Sequence, residues 1–152
     1  MELPSKEYEW VVFTPDLFND TRLVRLRDDP SEISVVARLI YNDGREIPCE
    51  GRINLEEKTI EPIVQHYDKK TPVQVLLIES GKVKWIPSSN GAVSDNAIVG
   101  GKSQTKEKLY VCMKHVLKST KLIGTMEPST QSCHGDYFSP VHENYKLLIH
   151  EA

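Results

Sequence analysis

The sequence has no long apolar run, little helical periodicity and no excess of basic charge, and each of these absences narrows what it can be. No window approaches the ~18 apolar residues that a membrane-spanning helix needs, so no membrane span is expected. The opening residues, "MELPSKEYEWVVF", carry acids and a proline where a secretory leader has a basic start and an unbroken apolar stretch. A cytoplasmic protein is therefore expected, exported only by a route that needs no leader. Lys and Arg number 19 against 22 Asp and Glu, a formal charge of -3, so the attraction behind non-specific nucleic-acid binding is missing. Nucleic acid is not an expected partner.

Cysteine is also scarce. Cys49, Cys112 and Cys133 are an odd number and none lies in a CxxC, which argues against a disulfide framework or a zinc ribbon and for buried free thiols. No phosphate-cradling glycine loop, hydrolase elbow or metalloprotease helix is present, and no pair of groups is placed for general acid and base work. The expectation is a protein that is not an enzyme, with no catalytic residue, cofactor or metal site. "CHGDYFSPVH", Cys133 to His142, does bring a thiol, two imidazoles and Asp136 together. A metal or a Cys-His nucleophilic pair would need such a set.

What the chain has in quantity is short β-rich runs. "YEWVVF", "RLVRL", "SVVARLIY", "VQVLLIES", "KVKWI", "LYVCMKHV" and "YKLLIHE" are each rich in Val, Ile, Leu and Tyr. Turn dipeptides lie between them at Asn42 to Gly44, Glu79 to Lys82 and Ser89 to Gly91, pointing to tight hairpins. "NLEEKTIEPIVQHY" has some helical character, but Pro62 interrupts it, so a loop or one short helical turn is expected there. "KSQTKEK", Lys102 to Lys108, and "YDKK", Tyr67 to Lys70, read as solvated loop tips. With 152 residues, 39% of them hydrophobic, the chain suffices for one domain with a core of its own.

The runs also repeat. Trp10 and Trp85 are 75 residues apart, and "SVVARLIY" and "LYVCMKHV" keep that offset, as do Ala37 and Cys112, and Ile47 and Leu122. "LLIES" at Leu76 and "LLIHE" at Leu147 match at an offset of 71, which puts a difference of four residues in the preceding loop. The fold expected is all-β: two tandem antiparallel repeats, residues 8–80 and 82–152, within one compact domain spanning 1–152. Trp10 and Trp85 would be core residues at its centre.

"WIPSSNGAVSDNAIVGG", "LYVCMKHV", "LIGTMEPS" and "YKLLIHE" resemble the DM-nine repeat, an invertebrate module. Its pattern is W-V-x-x-x-x-G, small polar residues, A-V-x-G-G, L-Y-V-G-R-A-x-H, P-G-K, P-S-H-G and Y-E-V-L. Trp85, Gly91, Ala97, Val99, Gly100, Gly101, Leu109, Tyr110, Val111, His115, Gly124, Pro128 and Tyr145 carry the match. The first half resembles a degenerate copy, with Arg25 and Leu26 where the second has the double glycine.

The resemblance implies that the two repeats are related by a pseudo-twofold axis, and that the protein is a non-catalytic, mannose-type lectin in innate recognition. Family members hold the sugar with an acid after the G-G turn and the lysine of P-G-K. Carried over, the ligand-binding positions are Asp28 and Glu50 in the first half and Ser103 and Thr125 in the second, with Asp29, Gln104 and His115 as further contacts. Neither half keeps the charged pair, and Asp28 beside Glu50 would repel or draw in a cation. The expected partner is a glycan or other polar small ligand. The alternative is a protein-interaction or self-assembly module that has lost sugar binding, motivated by Arg22, Arg25, Arg27, Asp28, Asp29 and Glu32, and a homodimer would cover exposed sheet edges.

Overall fold

The computed structural model describes residues 7–28, 32–116 and 120–151. These form one open antiparallel sheet of thirteen strands, and no α-helix is found among the described residues. Strands β1 (Tyr8–Val12), β2 (Arg25–Asp28), β3 (Glu32–Ile40), β4 (Glu46–Asn54), β5 (Thr59–Pro62) and β6 (Val73–Ile78) belong to the first half. The second half holds β7 (Val83–Ser88), β8 (Val99–Lys102), β9 (Lys108–Val116), β10 (Thr120–Glu127), β11 (Ser132–Gly135), β12 (Phe138–Val141) and β13 (Tyr145–His150). The all-β expectation is met.

The pairings of the first half recur in the second. β1 pairs with β6 as β7 does with β13, β2 with β3 as β8 with β9, and β3 with β4 as β9 with β10. Even a bulge recurs, between Arg25 and Arg27 on β2 and between Val99 and Gly101 on β8. Trp10 lies opposite Leu76 and Trp85 opposite Leu148, so Leu148, not Leu147, stands in the place of Leu76. The offset there is 72 and the length difference three. Both runs are uniformly apolar, so letters alone left their register loose.

Three other expectations change. "NLEEKTIEPIVQHY" contains a strand, β5, which pairs with β4 and with no other described strand. Pro62 ends it, and an edge strand tolerates the missing N–H. Of the turn signals, only Asn42 to Gly44 closes a hairpin between paired strands, β3 and β4. Those at 79–82 and 89–91 lead from β6 to β7 and from β7 to β8, pairs that form no ladder. Turn chemistry reverses the chain locally and does not choose the partner. Cys112 and Cys133 are joined in a disulfide, leaving only Cys49 free. Three cysteines cannot all pair, but Cys112 on β9 and Cys133 on β11 lie close enough in the sheet to do so.

Apolar alternation builds the core. One cluster draws Val24, Val36, Leu76 and Ile78 from the first half and Ile98, Val111, Met113, Ile123 and Leu148 from the second. Trp10 and Trp85 both pack against it, half-buried. Tyr8 and Trp10 also grip the second half directly: Trp10 Nε1 donates to the Val99 carbonyl at 3.0 Å, and the Val99 N–H donates to the Tyr8 hydroxyl at 2.9 Å. Arg38 lies over the Trp10 ring at 4.8 Å and donates to Gln74 Oε1 at 2.8 Å and to the Gly100 carbonyl at 3.2 Å. Burial pulls its pKa below the ordinary arginine value.

The double glycine belongs to this seam. A Cβ on Gly100 would stand 2.5 Å from Pro48 Cγ, and one on Gly101 would run into the Glu46 carbonyl. Here β4 meets β8 through the pair Glu46 and Lys102. By the ladders, Leu26 and Arg27, rather than Arg25 and Leu26, take the places of Gly100 and Gly101.

Candidate functional site

Glu50 and Thr125, the two residues at the family's lysine position, both lie inside the protein. Each is 3% exposed. Glu50, on β4, accepts a hydrogen bond from Ser34 Oγ at 3.0 Å and pairs with Arg52 Nε at 3.2 Å. Thr125 Oγ1 donates to the Pro48 carbonyl at 3.0 Å. Nearby, His134 Nε2 comes within 3.3 Å of Glu127 Oε1, but at an angle that makes no hydrogen bond.

Ser103 closes a turn. Its hydroxyl accepts the Glu107 N–H at 3.1 Å and shares a hydrogen bond with Thr105 at 2.9 Å, while its backbone bonds twice across the β8–β9 hairpin. Gln104 is exposed in the same turn, and His115 is exposed on β9. The ladders set Asp28 level with Lys102, one place short of Ser103. Asp28 ends β2; its side chain, like all of Asp29, lies outside the described residues. Among the described residues, Glu50 and Thr125 are closed off from solvent, while Ser103, Gln104 and His115 stand at or near the surface.

An open space does exist elsewhere. A groove of ≈ 720 Å³ lies between the β3–β4 turn and the 65–71 loop, lined by Tyr41, Asn42, Asp43, Arg45, Gln65, His66, Tyr67, Asp68 and Thr71. Arg45 is held twice: its guanidinium stacks over the Tyr41 ring at 4.4 Å, and its Nε donates to Asp43 at 2.8 Å. The Arg45 backbone N–H and then its guanidinium keep the Asp43 carboxyl below the usual carboxylate range, so it is ionised at neutral pH. Burial pushes the Tyr41 hydroxyl up, so it stays neutral and can donate.

Gln65 is anchored from the second half. Its N–H donates to Asp136 Oδ2 and its Nε2 to the Asp136 carbonyl, both at 2.9 Å. Two phenol rings, two carboxylates, a guanidinium, an imidazole and two amides therefore surround one groove, several of them already fixed. Such a set can stack on a ring and exchange hydrogen bonds with paired hydroxyls. As letters, "NDG" reads as a turn and "YDKK" as a solvated loop tip. A tyrosine beside each, Tyr41 and Tyr67, is the signal that could have drawn attention to them.

A model of the DM9 repeat matches residues 28–143. The chain belongs to the DM9 repeat family. No curated protein sequence matches it. The DM9 match runs from the end of β2 to beyond β12, so it includes the double-glycine seam, the groove and all four of Asp28, Glu50, Ser103 and Thr125. Cys133, which falls within the DM9 match, has its sulfur tied up in the disulfide and is free neither to ligate a metal nor to attack.

Proposed function

We propose that this DM9 protein is a non-catalytic recognition domain that binds a carbohydrate, or a similarly hydroxylated polar ligand, in the groove between the β3–β4 turn and the 65–71 loop. The observation that carries the reading is the fixing of Arg45 by Tyr41 and Asp43, and of Gln65 by Asp136, around an open polar groove. Pre-positioned donors and acceptors matter because a sugar leaves well-satisfied hydrogen bonds in water, and ordering the site on binding would cost more of what is gained. Family membership supports recognition as the general role.

Retention on mannose-agarose and on a glycan array, with and without calcium, tests it. Tyr67→Ala and Asp68→Asn should each weaken retention about tenfold or more, while Ser103→Ala leaves it unchanged. Loss in Asp28→Ala alone would return the ligand to the family's position. Absence of retention by folded wild-type protein would remove the lectin reading and leave a protein-interaction module of the same fold.

A further inference from the structure

The Cys112–Cys133 bridge belongs to the second half, yet what it secures reaches the groove of the first. Cys133 lies on β11, and three residues on, in the turn before β12, Asp136 receives both hydrogen bonds from Gln65. Besides the packing of Cys133, Phe138 and Val141 into the second-half core, β11 is held by three residue pairs to β10 and by a ladder to β12 whose register shifts between Cys133 and Gly135. The strand order ends at β12. A short terminal hairpin of this kind opens more readily than the central strands. The covalent tie to β9 opposes that opening.

We propose that the Cys112–Cys133 disulfide is a redox-sensitive strut: oxidised, it holds the β11–β12 turn so that Asp136 fixes Gln65 in the groove, and reduced, it releases Gln65 while the sheet stays folded. In the reducing step a dithiol supplies two electrons and two protons. The Sγ–Sγ bond breaks, thiols form on Cys112 and Cys133, and the two sulfurs of the reductant join in a disulfide. Both cysteines are 0% exposed, so the dithiol reaches them only as the terminal hairpin opens.

The consequence for ligand binding rests on the proposed role of the groove, but the strut itself is read without any ligand. Hydrogen exchange at the Gln65 backbone N–H is followed in oxidised protein, in protein treated with dithiothreitol, in the Cys112→Ala/Cys133→Ala double variant and in Asp136→Ala. Exchange about tenfold faster in the last three, with the far-ultraviolet β signal kept, is the expected result. Equal Gln65 exchange in oxidised and reduced protein overturns the strut. So does global unfolding on reduction, which would make the bridge a staple of the whole fold. Mannose-agarose retention is scored separately, so a chain that binds no sugar can still show the strut, and one that binds can still lack it.

Discussion

Thr125 Oγ1 and the Pro48 carbonyl form a buried hydrogen bond of 3.0 Å between strands of the two halves, 77 residues apart in the chain. It shows why the lysine expected at that position is absent. Thr125 is 3% exposed there, so an ammonium at that position would be taken out of water. Thr125→Val should cost about 1–2 kcal/mol, from an unpaired carbonyl. Thr125→Lys, which restores the family residue, should cost more, about 3 kcal/mol or above, because a buried charge is left unpaired. Urea midpoints at constant m-value measure both.

The double glycine is a spacing device, and substitutions separate spacing from backbone freedom. Gly101→Ala drives a methyl into the Glu46 carbonyl, and Gly100→Ala drives one against Pro48 and Val111. Each should cost about 2–3 kcal/mol through overpacking. Gly44→Ala, at φ +96 with nothing within 4 Å of the added carbon, should cost only about 1 kcal/mol of backbone strain. Equal losses at all three positions would mean that the seam is not tightly packed.

Strand identity was legible because alternating Val, Ile and Leu marks a half-buried strand wherever it falls. Register was not: "VLLI" and "LLI" are apolar at every position, so Leu148 could be told from Leu147 as the mate of Leu76 only from the ladder. The family positions were legible as letters, but burial is a property of three dimensions. Glu50 reads as a reversed cation in the sequence and proves to be a carboxylate closed in by Ser34 and Arg52. The groove escaped because Gln65 and Asp136 are 71 residues apart and meet only in the fold.

Trp10 ties the halves through one hydrogen bond as well as through its ring. Trp10→Phe keeps most of the apolar surface but leaves the Val99 carbonyl without the indole N–H. A loss of about 1 kcal/mol is expected, beyond the smaller change from reduced ring area. Tyr8→Phe, which removes the acceptor for the Val99 N–H, should cost a similar amount. The two residues share Val99, so the double variant should depart from the sum of the single losses.

The three cysteines predict a stepwise thiol count. Cys49 is 4% exposed in the first-half core, and burial, with smaller contributions from Glu50 and Asp136, pushes its thiol up to about 12. A raised thiol pKa keeps the neutral, unreactive form at pH 8, and burial also denies access. Iodoacetamide at that pH should label no cysteine in folded oxidised protein, one after unfolding without reductant, and three after unfolding with reductant. Reduction should also lower stability, because the bridge spans a sequence separation of 21 residues, worth about 3 kcal/mol in the loop-entropy picture. Three labels without reductant would restore the expectation of free thiols and remove the strut together with its bridge. One label with native-state labelling of Cys49 would instead show that the first-half core opens on its own.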